Sequence, residues 1–207
     1  MELGRPLATV TPTVDGDVLA VLARQDVTFT TGKLHRILAR YSEEGIRKVL
    51  QRLTKQGVVD SERVGNAFTY RLNRDHIAAE HIIGLAHLAE SLLNRLQTRL
   101  QAWEIPPTYA AVFGSTARGS MTVDSDLDIM LIRPDNTQDD LWDSQVENLA
   151  ADVTRWTGND ARILQFAADE LLAHGSRESV LRDILREGLT VIGERSWLQR
   201  QLRKPRG

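Results

Sequence analysis

The chain has 207 residues, is 42% hydrophobic and 26% charged, and carries a formal net charge of −2, a balance typical of folded proteins that excludes wholesale disorder. No apolar run approaches the ~18 residues of a membrane span, and the start MELGRPLATV lacks the basic and apolar blocks of a signal peptide. With no cysteine there is neither a disulfide framework nor a thiolate zinc site, so a cytoplasmic protein with no membrane partner is expected.

The charge is unevenly spread. Residues 31–59 hold seven Lys or Arg against two Asp or Glu, residues 106–193 hold seven against fifteen, and the end from residue 194 is basic again. A basic front, an acidic middle and a basic tail suggest parts with different partners. The divisions expected are a domain over 13–75, a linking helix over 76–105, a second domain over 106–193 and a basic tail over 194–207.

In the front part, Val18, Leu19 and Leu22 have helical spacing within Asp15 to Arg24, and Leu34, Ile37 and Leu38 point inward from a second helix over Thr31 to Arg40. Ser42 is an N-cap candidate with Glu43 and Glu44 in the first turn. It opens a third helix with Ile46, Val49, Leu50 and Leu53 on one face and Gly57 as its C-cap. Val58-Val59 and Ala67 to Leu72 then read as strands around a Gly65-Asn66 turn, with Phe68, Tyr70 and Leu72 alternating.

Three helices followed by a hairpin is the winged helix-turn-helix order, and TTGKLHRILARYSEEGIRKVLQRLTKQGVVDSERVGNAFTYRL resembles the DNA-binding region of MarR- and ArsR-like bacterial regulators. The resemblance implies that the third helix enters the major groove of double-stranded DNA. Arg47 and Gln51 would then read base edges, Lys48, Arg52 and Lys55 would hold phosphates, and Arg63 and Asn66 would sit on the wing. These charges could equally solvate a helix in a protein-interaction module.

From His76 to Trp103 the positions Ile82, Leu85, Ala89, Leu92, Leu96, Leu100 and Trp103 recur at three- and four-residue steps. The spacing predicts one amphipathic helix, roughly 42 Å long at its usual rise, ended by Pro106-Pro107. Its stripe could pack on the chain's own domains or against a second copy, and a homodimer is the preferred expectation because it would match paired DNA half-sites. His76, His81 and His87 do not share a helix face and read as surface histidines rather than metal ligands.

The stretch YAAVFGSTARGSMTVDSDLDIMLI, Tyr109 to Ile132, carries the most chemistry. Tyr109 to Phe113 reads as a buried strand, and Gly114 ends it where the backbone must bend or approach a ligand closely. Ser115 offers a hydroxyl and an amide at the start of a short helical turn over Thr116 to Arg118, a place suited to phosphate. In the second strand, Asp126 to Ile132, alternation puts Asp126 and Asp128 on one face, about 7 Å apart, where they could share a divalent cation.

Gly114-Ser115, Ala117-Arg118-Gly119, Ser125 and the pair Asp126 and Asp128 together resemble the minimal nucleotidyltransferases of the DNA polymerase beta superfamily over residues 106–193. The resemblance implies an α+β fold, a small mixed sheet flanked by helices, following the winged helix and the long linking helix. It also implies that Asp126 and Asp128 hold Mg²⁺ on a nucleoside triphosphate such as ATP while Gly114 and Ser115 grip the terminal phosphates. Charge would be neutralised as an acceptor hydroxyl attacks the α-phosphorus and pyrophosphate leaves. Arg118 could touch a phosphate or be structural, and Ser125 could only shape the turn. Active relatives usually supply a third carboxylate from a later strand. Here the predicted strand Ala161 to Phe166, after a helix Asp139 to Trp156, has Arg162 and Gln165 in its interior, and Asp160 at its start could substitute in a shifted register.

Asp169-Glu170 reads as the start of the next helix, followed by a helix around Glu178 to Glu187 and a strand Leu189 to Ile192. The last segment reads as a frayed tail, with Trp197 and Leu198 as possible docking points. Two functions follow from the resemblances: an enzyme transferring AMP to a protein or small-molecule hydroxyl, conceivably a toxin partner as in toxin–antitoxin pairs, or a transcriptional regulator that binds a nucleotide or a partner without turnover.

Overall fold

The computed structural model describes residues 1–135, 137–168, 171 and 179–203. The expected helix start at Asp169-Glu170 and the final four residues lie outside these. Apart from a few residues at the N-terminus, the chain forms two compact units, 4–89 and 90–207.

The first unit is built from α1 (Val14–Arg24), β1 (Phe29–Thr30), α2 (Thr31–Ile37), α3 (Glu43–Lys55), β2 (Val59–Val64), β3 (Ala67–Leu72) and α4 (Ala79–Ala86). Thr30 caps α2 by accepting from the Lys33 amide at 3.2 Å, and Ser42 caps α3 by accepting from the Gly45 amide at 3.1 Å, each satisfying a donor the first turn cannot pair. Ile46, Leu50 and Leu53 turn inward from α3 to join Val18, Leu22, Leu34, Val59 and Leu72 in one core. β2 and β3 form a hairpin from Val59↔Leu72 to Val64↔Ala67, and β1 joins through Phe29↔Tyr70, giving the sheet order β1-β3-β2. The three helices and the hairpin are where the pattern put them. However, α2 stops at Ile37, which is 51% exposed rather than inward.

A buried carboxylate lies in this unit. Asp17, 5% exposed, accepts from Arg5 Nη2 at 3.0 Å and from the Tyr41 hydroxyl at 2.5 Å, and is also paired with Arg40. Burial by itself would raise this carboxyl, but the hydrogen bonds from Arg5, Tyr41 and Arg40 outweigh it and hold the group below the usual carboxylate range.

The single linking helix expected over 76–105 is two helices, α4 and α5 (Leu88–Gln101), separated at His87. The His87 backbone leaves the helical region with φ −105° and ψ 22°, and its ring Nδ1 lies 2.8 Å from the Ile83 carbonyl oxygen, which the His87 amide also reaches at 3.1 Å. The apolar spacing runs unbroken across the interruption, so periodicity alone cannot detect it. The stripe proposed as a dimer seam is largely used within the chain: Ile82 and Leu85 pack partly buried against the first core, and Leu92, Leu96, Leu100 and Trp103 are buried.

The second unit continues with β4 (Tyr109–Phe113), α6 (Gly114–Ala117), β5 (Leu127–Arg133), α7 (Asp139–Thr157), β6 (Ala161–Ala167), α8 (Ser179–Glu187), β7 (Leu189–Ile192) and α9 (Arg195–Arg203). The sheet order is β6-β5-β4-β7, with β5 and β6 parallel and the other pairs antiparallel. The parallel pair requires a crossover, which α7 provides. Tyr109 to Val112 and Ile129 to Ile132 are buried, as their unbroken apolar runs require when both faces of a sheet are covered. Trp142 of α7 meets Trp103 edge-on at 5.5 Å and donates from Nε1 to Gln165 Oε1 at 2.6 Å.

The basic end is not frayed as far as residue 203. It forms α9, with Leu198 fully buried and Trp197 stacked on Tyr109 at 6.3 Å. The charged residues flank an apolar face that outweighs them, so composition hides the helix. No helix among the described residues is long and apolar enough to cross a membrane.

Candidate functional site

Two strand ends and one turn build the site. Phe113, the last residue of β4, pairs in register with Asp128 of β5, so the chain must turn at Gly114 directly against that carboxylate. Gly114 has φ +68°, and a Cβ there would lie 2.3 Å from Asp128 Oδ2. Only glycine fits both the left-handed backbone and the close approach. The short turn α6 follows at once, and the Ser115 carbonyl accepts from the Ser120 amide at 3.0 Å. The Ser115 hydroxyl makes no hydrogen bond among the described residues.

The loop into β5 is tightly tied. Ser125 Oγ accepts from the Thr122 amide at 3.0 Å, so Ser125 shapes the turn. Asn159 is 2% exposed, and its amide nitrogen donates to the carbonyls of Thr122 at 3.1 Å, Val123 at 3.1 Å and Ser125 at 2.9 Å. The Leu127 amide donates to the Asp160 carbonyl at 2.8 Å. Asn159 is the residue that sequence reasoning missed. Its position after the helix-ending Gly158 resembled an ordinary turn, and nothing local names the distant carbonyls it serves.

The strand opens at Leu127 rather than at Asp126, and Asp126, just before it, lies close enough to Asp128 for the two charges to interact. The Asp128 carboxyl is raised above its usual range, first by burial and next by the neighbouring Asp126 charge, with Arg162 and Arg118 opposing in part. Arg162 Nη2 lies 2.9 Å from Asp126 Oδ2, and Arg162 is in register with Asp128 on the adjoining strand. Arg118 instead donates to Glu187 of α8 at 2.7 Å, and that bond holds Glu187 below its usual range. Asp160 is exposed, and among the described residues no three Asp, Glu or His side chains gather as a metal cluster. Among the described residues, this edge therefore holds two carboxylates and an arginine.

In the first unit Arg47, Lys48, Gln51, Arg52 and Lys55 are all exposed on α3, and Arg63 and Asn66 are exposed at the hairpin tip. Several have partners. Arg47 pairs with Glu44, Lys48 lies 4.0 Å from Glu44, Arg52 pairs with Asp15 and Arg63 donates to the Gly65 carbonyl at 3.3 Å. Among the described residues, Gln51 and Lys55 have no such partner.

Several solved structures are loosely similar. A crystal structure of a toxin–antitoxin with AMP-PNP shares 15% identity over 53% of this chain and 80% of its own, with a TM-score of 0.38. A mutant of the toxin–antitoxin MntA–HpeT shares 16% over 53% and 78%, with 0.39. TrmBL2, an archaeal chromatin protein, shares 13% over 97% of both chains, with 0.28. These likenesses are too loose to bear on fold or function. No curated protein matches the chain. Gly114, Asp126, Asp128, Asn159 and Arg162 all lie within residues 90–182, the stretch that matches the nucleotidyltransferase domain family.

Proposed function

We propose that the second unit binds a nucleoside triphosphate, ATP in the first instance, with Mg²⁺, and transfers AMP to a hydroxyl of a protein or small molecule. The first unit, in this proposal, is a winged helix that binds double-stranded DNA. The observation that carries the nucleotide reading is the meeting of the Gly114 turn with Asp128, since the bare backbone at Gly114 lies against a carboxylate whose neighbour is a second one. Two like charges held together, one half-buried, form a donor set suited to a hard divalent cation, with phosphate oxygens and water completing its coordination. When bound there, Mg²⁺ would supply charge neutralisation on the phosphates. Gly114 and Ser115 would offer backbone and hydroxyl donors to the terminal phosphates, while Ser125 and Asn159 hold the loop that aims Asp126.

A second reading has a specific observation behind it. Arg162, not an acid, stands level with Asp128 on the next strand, so among the described residues that position offers no carboxylate to take the proton of an attacking hydroxyl. On this reading the domain binds nucleotide without turnover and the chain is a transcriptional regulator, with a toxin-like protein among its conceivable partners. A homodimer would need a surface other than the stripe on α5. The DNA reading rests on the exposed α3 residues, with Gln51 and Lys55 the best placed to touch DNA without first breaking an ion pair.

Labelled ATP with Mg²⁺, supplied to the full chain and any co-purified protein, separates the readings. Transfer of label that disappears in the double variant Asp126→Asn and Asp128→Asn supports the enzyme. Mg²⁺-dependent ATP binding without transfer supports the sensor, and label that survives the double variant would sink the site assignment.

A further inference from the structure

The carboxylate pair already carries a cation of its own. Residues level with each other on neighbouring strands project from the same face, so the register Asp128↔Arg162 puts Arg162 on the face that Asp126 and Asp128 share. Its guanidinium lies 2.9 Å from Asp126 Oδ2. The other nearby arginine, Arg118, is committed to Glu187. Arg162 is anchored to a sheet strand that the parallel register fixes against β5, and its side chain is 72% exposed, so the donors not spent on Asp126 face solvent. A guanidinium stays charged at any ordinary pH and offers forked donors that suit carboxylate and phosphate alike.

We propose that Arg162 is a permanent cationic member of this site. It takes the share of Asp126 that a second divalent ion would need, limits the pair to one such ion, and presents its remaining donors to the phosphates of the bound nucleotide. The proposal rests on the reading of Asp126 and Asp128 as a divalent-cation site. Its effect on the cation passes through Asp126, while its contact with the phosphates is direct.

The test is Mn²⁺ titration of the full chain without nucleotide, with free Mn²⁺ followed by electron paramagnetic resonance. It compares the wild type, Arg162→Ala, Arg162→Asp and the double variant Asp126→Asn and Asp128→Asn. The wild type should bind one Mn²⁺, and Arg162→Ala one Mn²⁺ about tenfold more tightly, because a unit charge a few ångströms from a divalent ion is removed. Arg162→Asp should bind two. If Arg162→Ala binds Mn²⁺ no more tightly than the wild type while the Asn variant loses binding, the proposal is overturned and the metal site stands. If Asp126 and Asp128 prove irrelevant to Mn²⁺ binding, the metal-site reading fails and the proposal with it. Should Arg162→Asp not fold, the comparison with Arg162→Ala decides alone.

Discussion

Gly114→Ala tests whether the turn and Asp128 are in contact as the site requires, and the chain supplies its own control. Gly114 and Gly119 both have φ +68°, but a Cβ at Gly119 would meet nothing within 4 Å, whereas one at Gly114 would lie 2.3 Å from Asp128 Oδ2. An L residue in this backbone region costs about 1–2 kcal/mol, and the less flexible unfolded chain returns about 0.4–1 kcal/mol, so Gly119→Ala should destabilise by about 1 kcal/mol. Gly114→Ala adds the overlap. Overfilling a packed site costs about 1–3 kcal/mol, and the lower part of that range applies because a carboxylate oxygen can rotate aside. All four tryptophans, Trp103, Trp142, Trp156 and Trp197, lie in the second unit, so tryptophan fluorescence in urea reports its unfolding separately. Adding Asp128→Ala to Gly114→Ala should recover the overlap as a coupling of at least about 1 kcal/mol. A coupling below about 0.5 kcal/mol, the ordinary error of additivity, with equal losses at the two glycines, would refute the contact.

Asp17→Asn should destabilise the first unit by about 2 kcal/mol, the scale of hydrogen bonds to a charged group discounted for the exposure of its arginines, seen by circular dichroism without a tryptophan signal. Folding lowers the proton affinity of Asp17, so its contribution is complete above the ordinary carboxylate value, about 3.9, and is lost as pH falls through the folded-state value. The Asn variant should therefore lose less stability than the wild type on acidification, and equal acid sensitivity would contradict the assignment. Asn159→Ala should cost about 1–3 kcal/mol by removing a buried amide that bonds three loop carbonyls and should speed hydrogen exchange at Ser125 and Leu127; unchanged exchange there would remove its role as the loop's anchor. Leu198→Ala should destabilise the second unit by about 2–5 kcal/mol, whereas a loss within about 0.5 kcal/mol would restore the frayed tail.

Local chemistry was readable and long-range pairing was not. Ser42 with Glu43 and Glu44 signals a helix start because the cap and the dipole act within one turn, and the alternation of Asp126 and Asp128 fixes their shared face whatever surrounds them. The interruption at His87 leaves the apolar period intact. The identity of Arg162 was plain, but its attachment to Asp126 depends on a register set by a strand pair on either side of a 19-residue helix, and no local pattern encodes that. Asn159 and α9 are the same kind of case, since one serves carbonyls over thirty residues away and the other is held by packing on Tyr109.

Asn159 and its neighbour Asp160 also place a constraint on chain length. The side chain of one residue holds the loop before β5 and the backbone carbonyl of the next receives the first strand amide, so four consecutive positions, Thr157 to Asp160, set both where Asp126 stands and which residue of β6 comes level with Asp128. One residue inserted between Asp160 and Arg162, just past these anchors, would turn Arg162 to the opposite side of the sheet and draw a different side chain toward the carboxylates. Changes in the length of this short connection would thus alter the charge of the site in a single step, with every side chain around it kept.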